Sequence, residues 1–90
     1  ARVQAVYAGY VLYASWFKGY GNMIIIDHGD SYYTVYAHLE DLLKMKGDFV
    51  NTGDDIATVG DTSSMMGPKL YFEVRHHGKP LDPLNWILTG

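Results

Sequence analysis

Apolar and polar side chains alternate along residues 69–75. Leu70, Phe72 and Val74 fall on one face of an extended strand, and we expect that face to pack on a core. The opposite face carries only polar or amphipathic side chains, namely Lys69, Tyr71, Glu73 and Arg75. Every second residue of a strand is about 7 Å from the next. The pattern therefore predicts a row of functional groups presented by a rigid β-strand.

Short apolar segments separated by glycine-containing turns account for most of the remaining chain. Three consecutive isoleucines within residues 23–27 predict a strand that is covered on both faces. A turn at residues 28–31 predicts a hairpin, so that residues 32–38 return antiparallel. Short strands at a spacing of 8–12 residues predict an all-β fold, a small antiparallel barrel or sandwich. No linker interrupts the pattern, which favours a single domain over residues 1–90.

The returning strand has two chemically different faces. We expect Thr34, Tyr36 and His38 to share one face and Val35 and Ala37 to share the other, because side chains alternate along a strand. The segment that follows, residues 39–43, predicts a single helical turn, which is too short to be stable alone. The sequence thus places a tyrosine and a histidine side by side on one face.

Composition excludes several classes of function. The 90 residues carry a net charge of −3 and no basic block, so nucleic acid is not an expected partner. The chain contains no cysteine, which excludes disulfides and thiolate zinc sites, and no apolar run reaches membrane-spanning length. The chain opens inside an apparent strand without an initiator Met, so we expect a piece of a longer protein, with part of the domain upstream.

Several short segments, in this order and at this spacing, resemble the LytM/lysostaphin-type zinc metallopeptidase domain. They are Gly19-Tyr20-Gly21-Asn22, Ile26-Asp27-His28-Gly29, Tyr36-Ala37-His38-Leu39, the glycine–aspartate series from Gly47 to Gly60, and Leu70-Tyr71-Phe72-Glu73. The resemblance covers almost the whole chain and implies a LytM-like fold of the barrel-sandwich type.

The chain departs from this family at the metal site that the resemblance implies. The peptidases carry a His-x-His pair of zinc ligands where this chain has Lys69 and Tyr71. An ammonium has no lone pair to donate, and a phenol with a pKa near 10 is a poor zinc ligand. His38 matches the family's histidine in the Tyr-x-His-Leu segment. We therefore expect no bound metal or other cofactor and no catalytic residue.

The chain is also similar to the degenerate LytM domains of EnvC-type murein hydrolase activators, which share the Leu-Tyr-Phe-Glu string. This resemblance implies an extracytoplasmic module without enzymatic activity that binds and activates a peptidoglycan amidase during cell separation. The expected partner-binding groove consists of Lys69, Tyr71, His38, Tyr36, Met65 and Met66. The alternatives are an active zinc metallopeptidase that cleaves peptidoglycan cross-links, a module that binds peptidoglycan directly, and a biotinyl-type carrier domain.

Overall fold

The computed structural model describes residues 2–60 and 70–76, together with the backbone of residues 79–81. Within these ranges the chain forms nine strands and no helix. The strands are β1 (Arg2–Gln4), β2 (Gly9–Phe17), β3 (Gly21–Gly29), β4 (Tyr32–Leu39), β5 (Asp41–Leu42), β6 (Phe49–Val50), β7 (Asp55–Thr58), β8 (Tyr71–His76) and β9 (Lys79–Leu81).

Two antiparallel sheets organise these strands. The larger sheet has six strands in the order β6-β2-β3-β4-β8-β9, and the smaller has three in the order β1-β7-β5. This arrangement confirms the all-β antiparallel architecture predicted from the sequence. In the part of the chain that the structure describes, no helix is long and apolar enough to cross a membrane.

The predicted helical turn after β4 is wrong. Asp41 and Leu42 form β5, which pairs with β7 opposite Thr58 and Ala57. The Leu43 amide also donates a hydrogen bond of 2.9 Å to the Ile56 carbonyl. Pairing with β7 satisfies backbone groups that an isolated helical turn would leave exposed to water.

The predicted β3–β4 hairpin is confirmed. Asp30 and Ser31 both adopt positive φ angles, 51° and 64°, as a two-residue turn that matches the twist of the strands requires. The Asp27 carboxylate accepts a 2.9 Å hydrogen bond from the Gly29 amide. The short turn brings β3 and β4 together along almost their whole length.

The main core lies where the inner face of the six-stranded sheet meets the smaller sheet. Its buried members come from six strands and the adjoining segments: Val3, Ala5, Val11, Ile24, Ile26, Tyr36, Leu39, Val50, Ile56, Ala57 and Val59. Gly9 is closely approached at the start of β2, since a Cβ built there would lie 2.4 Å from the Asp27 carbonyl oxygen. Only glycine fits at this position of the sheet.

Strand β8 presents its faces largely as the alternation predicts. Val74 is fully buried, and Phe72 packs against the main core with its ring 5.2 Å from that of Tyr36. Leu70 departs from the expectation, because it precedes the strand and is 43% exposed. The core face of β8 therefore begins at Phe72.

Substituting Phe72 by alanine should lower the free energy of unfolding by about 3 kcal/mol, because the ring fills space in the main core. The matched control is Leu70→Ala, which shortens a largely exposed side chain and should cost less than about 1 kcal/mol. Chemical denaturation of both variants measures the difference. Equal losses in the two variants would contradict the assignment of the core face.

Candidate functional site

The outer face of the six-stranded sheet carries a second apolar cluster. Met23, Val35 and Ala37 are buried there, although they lie on the side of the sheet away from the main core. Antiparallel register places Val35 opposite Glu73 and Ala37 opposite Tyr71. Because residues opposite each other in a ladder share a face, the polar side of β8 borders this apolar floor.

A groove of about 370 Å³ opens on this face. Its floor and walls are formed by Leu12, Tyr20, Met23, Ile25, Tyr33, Val35, Glu73 and Arg75. The groove is thus apolar along its floor, with a charged pair on one wall. Such a concave surface with few polar groups is typical of a binding site.

Glu73 fixes the neighbouring side chains of β8. The Tyr71 hydroxyl donates a hydrogen bond to the Glu73 carboxylate, and Arg75 Nε pairs with the same carboxylate. The Glu73 side chain is only 12% exposed, whereas that of Arg75 is 41% exposed. Tyr71 is therefore held in one orientation, and the guanidinium of Arg75 is left partly open to solvent beside the groove.

The hydrogen bond to Glu73 raises the pKa of the Tyr71 phenol above its usual value of 10, with smaller contributions from desolvation and from the negative charge of Glu73. A carboxylate that accepts a hydrogen bond from the phenol stabilises the neutral form of the phenol. The phenol therefore stays protonated near neutral pH and acts as a hydrogen-bond donor.

His38 reaches the same surface through an irregularity in β4. The residue has a φ of 60°, and the β3–β4 register shifts between Asn22 and Ile24. A bulge of this kind inserts one residue and redirects a side chain. The His38 ring consequently contacts Tyr71 edge-on at 6.2 Å, and the His38 amide donates a 2.8 Å hydrogen bond to the Tyr20 carbonyl.

Two expectations about the faces of β4 are corrected here. Tyr36 is only 1% exposed and lies in the main core, so its ring is not available to a partner. His38 does not share a face with Tyr36, because its positive φ interrupts the alternation. Tyr71 and His38 do lie side by side as expected, whereas Lys69, Met65 and Met66 lie outside the described residues.

The sequence reasoning did not identify several residues of the groove. Leu12, Tyr20 and Tyr33 line it, and Tyr20 contacts Tyr71 with ring centroids 5.6 Å apart. The available signal was the pairing of β4 with β8: once Ala37 is placed opposite Tyr71, Val35 and Tyr33 must follow on the same face. Leu12 is the unpaired residue of a bulge in β2, between Val11 and Tyr13, which the sequence pattern does not reveal.

Acidic and histidine side chains do not cluster in a way that suits a metal ion within the described ranges. No three residues among the histidines, cysteines, aspartates and glutamates of those ranges come together with suitable geometry. Near the groove, the carboxylate of Glu73 is already engaged by Tyr71 and Arg75.

Comparison with known proteins finds a family model, two named relatives and a solved structure that are similar to the chain. The model of peptidase family M23 matches residues 1–83. The chain is 40% identical over 84 residues to the murein hydrolase activator NlpD of Escherichia coli K12, an alignment covering 93% of this chain and 21% of that protein. The murein hydrolase activator EnvC of the same organism is 34% identical over 85 residues, and this alignment covers 94% of this chain and 20% of EnvC. The chain spans about a fifth of the length of these relatives.

A solved structure shows the same fold in a peptidase. The catalytic domain of the antimicrobial peptidase lysostaphin from Staphylococcus simulans matches with a TM-score of 0.84 at 25% identity, over 99% of this chain and 71% of that chain. The resemblance to LytM-type domains and to murein hydrolase activators is confirmed. Of the two activators compared, NlpD is the more similar.

Replacing Glu73 by glutamine should lower the pKa of the Tyr71 phenol toward 10. Glutamine accepts a weaker hydrogen bond from the phenol than a carboxylate does, and it carries no negative charge that would repel the phenolate. Titration of the tyrosine ring carbons by NMR follows Tyr71 individually, and Tyr71→Phe identifies its signal. The exposed Tyr10 serves as the internal reference. A Tyr71 pKa that is the same in the wild type and in Glu73→Gln would show that Glu73 does not hold the phenol.

Proposed function

The chain belongs to peptidase family M23, and from this premise we propose that it is a non-catalytic member that binds and activates a peptidoglycan amidase. The relatives at 40% and 34% identity are named murein hydrolase activators, which supports this role over hydrolysis. Action on peptidoglycan requires a location outside the cytoplasm, so we propose an envelope-associated protein.

The observation that carries the proposal is that the Tyr71 phenol is protonated and hydrogen-bonded to Glu73. By the resemblance of its segment to the peptidases, Tyr71 occupies the position of a zinc-binding histidine, with Lys69 at the other ligand position. Its phenol donates a hydrogen bond to Glu73 and has a raised pKa, so it keeps its proton and offers no anionic oxygen to a metal near neutral pH. These residues do not fit a zinc ion. In place of a metal ligand, the groove wall has a fixed aromatic hydrogen-bond donor.

The groove also has the chemistry of a protein-binding surface. Its floor of Met23, Ile25 and Val35 suits an apolar side chain, and methionine adapts its shape to different partners. The tyrosines at its edge supply rigid contact area of the kind that dominates interface energetics. Arg75 remains 41% exposed and can meet a carboxylate or the carbonyl groups at the end of a helix. We therefore propose that an amidase segment with an apolar side chain and a nearby acceptor group occupies the groove, with Lys69, His38 and the Met65–Met66 segment bordering it.

Tyr71→Ala should weaken binding of the amidase by about 1–3 kcal/mol, because it removes an aromatic contact. Lys69→Glu should weaken binding by about 2–5 kcal/mol, because it reverses a charge. The assay measures release of dye from labelled sacculi by a cognate amidase with and without the domain. The matched control is Tyr10→Ala, since Tyr10 is 60% exposed but lies outside the groove. Thermal unfolding of each variant establishes that it is folded.

The outcomes separate the candidate functions. An activator is supported if dye is released only when the domain and the amidase are both present. The release should fall with Tyr71→Ala and with Lys69→Glu, but not with the control Tyr10→Ala. Release by the domain alone would support the peptidase, a function that the similarity to lysostaphin favours. Cosedimentation of the domain with sacculi that does not depend on an amidase, without activation, would support direct binding of peptidoglycan.

Protein purified without a polyhistidine tag should contain far less than one zinc ion per chain, because Lys69 and Tyr71 replace two imidazole ligands. Elemental analysis by mass spectrometry measures the ratio directly. The double variant Lys69→His/Tyr71→His is the informative comparison, since it restores the His-x-His pair. Stoichiometric zinc in the wild-type protein would overturn the non-catalytic assignment.

A further inference from the structure

The outer edge of β2 is open over most of its length. β6 pairs only with Gly9 and Tyr10, and the turn that precedes β6 bonds the backbone of Val11. Residues 12–17 have no backbone hydrogen bond on this edge in the part of the chain that the structure describes. Alternate N–H and C=O groups of this stretch therefore face outward without a strand beside them.

The part of this edge with regular geometry lies between the bulge in β2 and the β2–β3 turn. Leu12 is the unpaired residue of the bulge, whereas residues 13–17 pair with β3 in regular register. The Trp16 carbonyl accepts a 3.1 Å hydrogen bond from the Tyr13 hydroxyl, and a carbonyl can accept a second one. A further strand can therefore pair with the whole of residues 13–17.

This stretch lacks the features that keep edge strands from pairing. Proteins protect such edges with short strands, charged side chains, proline or a covering element. Residues 13–17 read Tyr-Ala-Ser-Trp-Phe, without a charged residue or a proline. The outer strands of the smaller sheet, β1 and β5, have only three and two residues and include Arg2 and Asp41. The contrast indicates that the edge of β2 is a surface for binding another strand.

Large apolar side chains are exposed along the same edge. Trp16 is 63% exposed, and Phe17 and Leu12 are about half exposed. Tyr13 packs on the outer apolar cluster and Ala14 on the main core, and the Phe17 ring contacts that of Tyr13. Alternation thus puts Tyr13 and Phe17 on the groove side of the sheet, and Ala14 and Trp16 on the other side. Exposed aromatic rings on an uncharged edge are typical of the centre of an interface.

The stretch is complementary to a second copy of itself. In an antiparallel pair centred on Ser15, Tyr13 lies opposite Phe17 of the second copy, and the two form an aromatic cross-strand pair. On the other face Ala14 lies opposite Trp16 of the second copy, so that a small side chain leaves room for a large one. Ser15 lies opposite the same residue of the second copy, so no like charges meet at the centre.

We propose that the chain forms a dimer in which β2 pairs antiparallel with β2 of a second copy, centred on Ser15. Residues that lie opposite each other share a face, so the six-stranded sheets of the two copies become one continuous sheet with both grooves on the same side. Two-fold symmetry uses the edge of each copy once, so the assembly stops at the dimer. The pairing does not depend on the amidase proposed for the groove.

The size of this interface predicts a weak, reversible dimer. An aromatic side chain that is fully covered buries about 150–250 Å², and Trp16 and Phe17 are roughly half exposed before pairing. With Leu12 and the backbone of both copies, the buried surface comes to roughly 1,000 Å², the lower limit of specific interfaces. We therefore expect a dissociation constant on the order of 10–100 μM.

Sedimentation velocity at about 5–500 μM protein tests the pairing. The sedimentation coefficient of the wild-type protein should rise with concentration from the value of a monomer to that of a dimer. Ser15→Lys and Ser15→Glu each place two like charges directly opposite one another, so each should weaken self-association by about fivefold or more at low ionic strength. An equimolar mixture of the two variants should associate more tightly than either alone, because lysine then faces glutamate.

Two further variants separate the edge from the rest of β2. Trp16→Ala removes an exposed aromatic side chain from both copies and should weaken self-association by about tenfold or more. Tyr10→Lys is the matched control, since it adds a charge to an exposed position of the same strand where β6 already covers the edge. It should leave self-association unchanged. Thermal unfolding of each variant establishes that it is folded.

The outcomes decide between the possible partners of this edge. A wild-type protein that stays monomeric over the whole range would overturn the proposal. If Ser15→Lys in that case lowers amidase-dependent dye release, the edge binds the amidase instead of a second copy. Dimers that persist in both charged variants, or a mixture that associates no better than either variant alone, would place the dimer interface elsewhere. Growth beyond a dimer would contradict the two-fold pairing.

Discussion

The pairing of β4 with β8 is the constraint on which both the groove and the adjoining part of the main core depend. Its register places Val35 and Ala37 opposite Glu73 and Tyr71, so the apolar floor and the polar wall of the groove are formed together. A shift of one residue would turn every side chain of the strand to the other face. Burial of Val74 and Thr34 as neighbours on the inner face opposes such a shift.

Strand β4 serves two purposes because its faces are chemically separate. Thr34 and Tyr36 are buried on the inner face, where they bond His28 and the Val6 amide, while Val35 and Ala37 belong to the apolar cluster on the groove side. The hydroxyls of Thr34 and Tyr36 are tolerated on the inner face because each one has a hydrogen-bond partner. At the end of the strand, the positive φ of His38 brings its imidazole to the groove side, beside Tyr71.

The chain belongs to peptidase family M23, and it is similar to proteins named murein hydrolase activators. A peptidase must hold a peptide in an open groove on a rigid sheet, and the same groove suits a segment of a partner protein. The bond from Tyr71 to Glu73 and the pairing of Arg75 with the same carboxylate keep the wall of the groove ordered.

The sequence by itself determined the all-β fold, the β3–β4 hairpin and the inward face of Phe72 and Val74, because period-two alternation and turn residues are local properties. The family resemblance led to the prediction that Tyr71 and His38 lie side by side, and their rings are 6.2 Å apart. The tertiary structure decided the rest: that Tyr36 belongs to the core, that Leu12 and Tyr33 line the groove, and that residues 41–42 form a strand. These outcomes depend on register, bulges and a positive φ, which arise from pairing between distant segments and leave no periodic signal in the chain. The hydrogen bond from the Val6 amide to the Tyr36 hydroxyl is of the same kind, since the two residues are 30 positions apart in the chain.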